Sequence, residues 1–280
     1  VGVAQPAVIV EPLEPATLTD MLDGGWRLLH EQPGTVLALS ALCLVPATVV
    51  SGLASAAVGS NVSTLLTLPG ASGSSSDAFP LAALLATVVA AAIRSLGVLY
   101  LGVALTDVVT ARQWGTRLGA TAAMGSALRR SGAILGAWPL LAGGAAVSYA
   151  MCFLPLAVWL TFTAVVAPAI AAEGIGPIAA IGRSMRLVAR RFWMALGVVM
   201  LSSLVATVLT WILTLLPSAL AEGLPWGARW AVNSVASSLA AMLTAGPLVT
   251  ASVLLYLDLR VRTEGLDLRQ RATVAFSRAG

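Results

Sequence analysis

Residues 178–217 read IAAIGRSMRLVARRFWMALGVVMLSSLVATVLTWILTLLP, two patterns joined end to end. In the first, Ile178, Ile181, Met185, Val188 and Phe192 recur at helical spacing as an apolar stripe, while Arg183, Arg186 and Arg190 form another. That is the pattern of a basic amphipathic helix lying on a membrane surface. In the second, residues 192–216 carry no charge over a length that crosses roughly 30 Å of hydrocarbon as a helix, and Pro217 closes it. A surface helix that turns directly into a span places the chain in the all-α class: a polytopic six-helix transmembrane bundle with amphipathic interfacial helices on its cytoplasmic side.

Outward from this stretch, five further runs have the length and apolarity of spans: 35–58 with a bend at Pro46, 80–109, 131–150, 155–172, and 229–257 with a bend at Gly246-Pro247. The uncharged turn near Met151 to Pro155 makes the third and fourth spans a tight hairpin. Residues 17–31, TLTDMLDGGWRLLHE, put Leu18, Met21, Leu22, Gly25 and Leu29 on one helical face and Asp20, Asp23, Arg27 and Glu31 on the other. This is a second interfacial helix, and a third is expected within 117–130. The membrane domain therefore covers 17–265, preceded by a disordered lead (1–16, rich in Pro and without the features of a signal peptide) and followed by a tail, 266–280. The order "interfacial helix, then two spans" occurs three times, with Trp26-Arg27-Leu28, Leu128-Arg129-Arg130 and Met185-Arg186-Leu187 in corresponding places. Either a true threefold repeat or convergence on one element order accounts for it.

Composition agrees. Of 280 residues 58% are apolar and 10% charged, with a mean hydropathy of +0.92, more oily surface than a soluble domain covers. The net charge of +4 does not indicate nucleic acid, because the arginines flank apolar runs instead of forming a polar basic face. There is no lysine, and fourteen of the sixteen arginines fall on one side of the expected bundle. By the positive-inside rule both termini are cytoplasmic, and the loop 59–79, whose one charge is Asp77, is on the far side. An all-arginine basic set amid abundant Ala, Gly, Val and Leu suits a GC-rich bacterial genome, hence a bacterial cytoplasmic membrane.

Few residues carry chemistry. Arg94 lies about 22 Å outward from Val109 along its span, where a charge is costly and intramembrane ionisable groups mark function. Two readings stand: it snorkels or makes a structural contact with backbone carbonyls, Tyr100, Tyr149, Asn233 or headgroups, or it holds a ligand or lipid. Asp107, Glu173 and Asp258, at the inner ends of spans, together with Glu264, read as salt-bridge partners; Asp258 with Arg262 and Arg260 with Glu264 have i,i+4 spacing, and Gly265 is placed to cap that helix. Arg183, Arg186, Arg190, Arg191, Arg260 and Arg262 are expected to meet anionic lipid headgroups or a membrane or cytoplasmic protein partner. Gly132/Gly136 and Ala83/Thr87/Ala91/Ser95 are spaced for helix contacts. Cys43 and Cys152 sit at different depths, so no disulfide is expected. With one histidine, His30, and no HExxH, P-loop or GxSxG, neither an enzyme nor a cofactor or metal site is expected.

Three segments, LEPATLTDMLDGGWRLLHEQPGTVL (13–37), APAIAAEGIGPIAAIGRSMRLVARRFWMALG (167–197) and LLYLDLRVRTEGLDLRQR (254–271), resemble the membrane domain found with some bacterial glycerophosphoryl diester phosphodiesterases. The resemblance implies that Glu173, Gly174, Arg183, Ser184, Trp193, Tyr256, Asp258, Arg260, Arg262, Glu264 and Gly265 shape the cytoplasmic face. In fused relatives a separate catalytic barrel uses acids and histidines around a metal. These 280 residues hold no such barrel, so the resemblance implies a standalone membrane member without diesterase activity. The function expected is a non-enzymatic lipid-interacting or scaffolding module; the alternative is a transporter or lipid-translocating protein with a pathway near Arg94, shaped by Pro46, Pro168 and Pro247.

Overall fold

Thr17 starts the first helix. Its hydroxyl accepts from the Asp20 amide, and the Asp20 carboxylate accepts from the Thr17 amide at 2.8 Å, a capping box that satisfies two otherwise orphaned donors of α1 (Leu18–Glu31). Gln32 alone separates it from α2 (Pro33–Val58), which begins on a proline whose missing N–H costs nothing at that position. There follow α3 (Leu81–Gln113), α4 (Ala120–Arg129), α5 (Ser131–Met151), α6 (Phe153–Thr163), α7 (Val166–Glu173), α8 (Pro177–Ala189), α9 (Phe192–Ala221) and α10 (Trp226–Glu264). This computed structural model describes residues 17–58, 81–151, 153–224 and 226–264, and among them there is no strand. The lead 1–16, the loop 59–79, Cys152, the Gly265 cap and the tail 266–280 lie outside the described residues, as do the side chains of Ala83, Thr87 and Glu264. Six helical segments, with α6 and α7 counted as one, are long and apolar enough to cross a bilayer, and the chain is a multi-pass membrane protein with an all-α bundle.

Packing follows a cyclic order. The short helices α1, α4 and α8 each introduce a pair of spans: α2 with α3, α5 with α6 and α7, α9 with α10. The second members α3, α7 and α10 touch one another pairwise at the centre. Each first member sits outside, wedged between its own partner and the second span of the preceding unit: α2 between α3 and α10, α5 between α6 and α3, α9 between α10 and α6. Each short helix lies across both spans of the preceding unit, α4 over α3 and α2, α8 over α7 and α5, α1 over α10 and α9. The ring thus closes from last unit to first.

The same register of burial recurs in the three units. Gly25, Leu29, Val36 and Leu39 are buried, as are Ala123, Ala127, Ile134 and Ala137, and Ser184, Val188, Ala195 and Val198. Each set has spacings of four, seven and three residues, so the elbow between surface helix and span is built alike three times. The centre is packed solid by Leu101, Ala104, Leu105, Val108, Ile170, Val253 and Tyr256, each essentially inaccessible. Close approach of backbones replaces bulk where elements cross. A Cβ on Gly25 would lie 2.5 Å from the Pro247 carbonyl oxygen, and one on Gly102 would lie 2.7 Å from Ala167 Cβ.

Several expectations are corrected. The fourth span is two helices: α6 stops at Thr163 and α7 starts at Val166. Pro168 has no N–H to give the Ala164 carbonyl and its ring crowds that carbonyl, so the helix breaks one turn upstream. Pro217 does not end α9, which runs on to Ala221; in an apolar surrounding the backbone keeps every other internal bond, and one lost donor is tolerated. The α8 face packed against the bundle is Ala180, Ser184, Leu187 and Val188, while Ile178 is 76% exposed. Ala180 and Ser184 let α8 approach closely, and of the expected apolar stripe Val188, Ile181 and Phe192 pack against the bundle while Ile178 does not. Of the residues spaced for helix contacts, Ala91 is exposed and a Cβ on Gly132 would meet nothing within 4 Å, whereas Ser95 on α3 accepts from Trp138 Nε1 on α5 at 2.9 Å and Gly136 abuts Pro177. Cys43 is a free, buried thiol.

Candidate functional site

The end of the bundle where α3, α7 and α10 finish is also where α2, α5 and α9 begin, and the charged residues collect there. At the end of α7, Gly174 turns left-handed at φ 62°, where a glycine carries no steric penalty, and so stops the helix just after Glu173. Arg183 Nε, on α8, donates to both oxygens of the Glu173 carboxylate at 2.9 and 3.1 Å. The fully buried Tyr256 hydroxyl, on α10, donates to the same carboxylate at 2.8 Å. The Arg260 guanidinium lies 5.6 Å from the Tyr256 ring centre and 3.8 Å from Glu173. One carboxylate therefore joins three helices, and cation–π contact holds the second arginine in place.

A second knot is adjacent. Asp258, whose side chain is 2% exposed, accepts from Arg262 Nε at 2.8 and 3.0 Å and lies 3.9 Å from Arg191 at the elbow between α8 and α9. Glu173 and Asp258 together face Arg183, Arg191, Arg260 and Arg262, so the cluster keeps a positive excess. On α3, Asp107 is 2.7 Å from Arg130 and also accepts from Ser126, tying α3 to α4. Glu31 is shared by Arg27, at 2.9 Å, and Arg112, at 2.8 Å, tying α1 to α3.

The break in the fourth span has its own partner in this region. With α7 starting afresh at Val166, the Phe162 carbonyl has lost its helical donor, and the fully buried Ser184 hydroxyl supplies one at 2.6 Å. Phe162 and Phe192 meet beside it with ring centres 5.3 Å apart. Nothing in the sequence signals this contact beyond Pro168 and the position of Ser184 one face away from the arginines.

The arginines fall into two sets. Arg27, Arg112, Arg130, Arg183, Arg191, Arg260 and Arg262 are built into the ion pairs just described. Arg186 and Arg190 are exposed, and so are Arg117 and Arg129; among the described residues none of these four makes an ion pair. Arg94 lies on an exposed flank of α3, away from the packed centre. Tyr100 is engaged with Ser131 at 2.9 Å, while Tyr149 and Asn233 are exposed on α5 and α10, and none of them bonds Arg94. At the opposite end, Arg229 donates to the Ala221 and Glu222 carbonyls, closing the C-terminus of α9. Among the described residues no group of three or more His, Cys, Asp or Glu could hold a metal. Comparison of the chain with protein-family models, with curated proteins and with solved structures gave no match.

Proposed function

We propose that this is a non-enzymatic integral membrane module that engages anionic phospholipid headgroups through its arginine-bearing end, with that end and both termini in the cytoplasm of a bacterial cell. One observation carries the reading: exposed arginines that make no ion pair among the described residues, Arg117, Arg129, Arg186 and Arg190, sit on or beside interfacial helices at one end of a closed apolar bundle. Basic residues at that level are attracted to anionic headgroups by about 1 kcal/mol each. We propose equally that the chain is a relative of the diesterase-associated membrane domains that its three segments resemble. Scaffolding of a protein partner on the same arginines is the neighbouring reading.

The test uses the full chain in nanodiscs of mixed neutral and anionic phospholipid, with retained lipid counted by native mass spectrometry. The wild type is expected to enrich the anionic species, and the triple variant R129Q/R186Q/R190Q to lose most of that enrichment without losing its fold. Equal enrichment in both proteins would overturn the proposal.

A further inference from the structure

The elbow between α1 and α2 faces the loop between α3 and α4 across a cavity of about 310 Å³ lined by Glu31, Gln32, Arg112, Gly115, Thr116 and Arg117. Its floor is shaped by a tight turn: Gly115, at φ 69°, donates to the Arg112 carbonyl, and the Thr116 amide and hydroxyl both return to the Ala111 carbonyl. That turn swings Arg117 round to the mouth, where it is exposed and, among the described residues, makes no ion pair. The one acid of the lining, Glu31, is already neutralised by Arg27 and Arg112. The cavity therefore presents a positive charge with a spare guanidinium fork and a carboxamide. It is large enough for a phosphate and its substituent, at the lower end of small-ligand sites. Trp114, 60% exposed on the preceding residues, belongs to the side-chain type that settles at the level of headgroups.

We infer that this cavity is a phosphate site, taking the phosphodiester of an anionic phospholipid, with Arg117 as the principal ligand and Arg112 and Gln32 beside it. Arg117 meets the phosphate as a planar fork matched to two of its oxygens. Arg112 contributes charge while remaining tied to Glu31, and Gln32 offers its amide from the elbow. The cyclic build makes the cavity particular to this unit. The elbow positions corresponding to Gln32 are Arg130 and Arg191, and those two arginines are turned onto Asp107 and Asp258. At the first elbow the corresponding residue, Gln32, is neutral, and Arg117 of the adjacent loop makes no ion pair among the described residues.

The inference rests on the lipid-binding reading above, and its test separates the two. Full-length protein in nanodiscs would be titrated from neutral to phosphatidylglycerol-containing bilayers and, separately, with inorganic phosphate in a neutral bilayer. Retained lipid and Trp fluorescence are the readouts. The expected result is a retained phosphatidylglycerol whose affinity falls about fivefold in R117Q, the loss of roughly one surface arginine contact, and is restored toward wild type in R117K. Tight binding of inorganic phosphate alone, weakened by R117Q, would assign the same site to a free phosphate and overturn the lipid half of the inference. If R117Q retains phosphatidylglycerol like the wild type while R129Q/R186Q/R190Q does not, the site is wrong and the broader reading stands. If the wild type shows no preference for phosphatidylglycerol, both fall.

Discussion

The two ends of the bundle are held by different means. At the arginine-bearing end, Glu173, Asp258, Asp107 and Glu31 each accept from side chains on other elements or on the following turn, and three helices converge on a single carboxylate. Toward the other end the hydroxyls of Thr207, Thr210, Thr214 and Ser218 bond to their own helix, Arg229 caps locally, and Tyr149, Met151, Leu154, Leu216 and Leu220 are all well exposed. Within the described residues, one end is cross-linked by ion pairs, whereas the other meets mainly through apolar contacts with isolated ties such as Thr48 to Ser238 at 2.8 Å and Arg229 to the end of α9. The difference teaches that an arginine near a membrane is not automatically a lipid ligand: Arg112, Arg130, Arg183, Arg191 and Arg260 are all consumed in holding elements together.

The comparison can be broken most decisively at Glu173. Glu173→Ala leaves Arg183 and Arg260 facing each other without their shared counter-charge, with an expected destabilisation of ~3–5 kcal/mol. Arg229→Ala at the far end is expected to cost under about 1.5 kcal/mol, because solvent and headgroups can serve the freed carbonyls. Unfolding in mixed micelles measures both, and equal losses would remove the distinction. A steric pair sharpens it next. Gly25→Ala drives a Cβ into the Pro247 carbonyl and should cost about 1–3 kcal/mol, while Gly143→Ala meets nothing within 4 Å and should gain a few tenths to about 1 kcal/mol in helix propensity. Ser184→Ala leaves the Phe162 carbonyl without its donor and is expected to cost about 1–3 kcal/mol, with faster amide exchange around 164–166. A Ser184→Ala protein that exchanges there like the wild type would show that the break is self-sufficient.

The smallest effect lies at the capping box. The hydrogen bonds from Thr17 hold the Asp20 carboxyl below its usual range. A depressed carboxylate contributes stability that is present above its unfolded value, near 3.9, and disappears as pH falls through the lower folded value. Docking of α1, followed by Trp26 fluorescence, should weaken with acid in that window, and Thr17→Ala should flatten the dependence at a cost of about 1 kcal/mol.

Much of this architecture was legible from sequence because apolar length and helical period are properties of contiguous residues. The spans, the surface helices at 17–31 and 178–193 and the i,i+4 pair Asp258–Arg262 needed no knowledge of neighbours. What escaped depends on partners remote in the chain. Tyr256 on Glu173, Ser184 on Phe162 and Gly102 against Ala167 are separated by 83, 22 and 65 positions. A proline alone does not decide the outcome: Pro168 coincides with a break, while Pro217, expected to close its span, coincides with none. The choice between paired and free arginines was invisible for the same reason: Arg183 and Arg186 are three residues apart on one helix, and only the placement of α7 decides that one is a strut and the other is exposed.

Closure of the ring from last unit to first also orders events in time. α4 and α8 lie across spans synthesised before them and can dock as soon as they emerge. α1 is made before α9 and α10, but its seat over them, with Gly25 against Pro247, exists only once α10 has been inserted. During synthesis the opening helix must therefore wait on the membrane surface with Met21 and Leu28 uncovered by protein, and its docking is the step that completes assembly. A quality-control protease sampling that helix would in effect be asking whether α9 and α10 have been delivered.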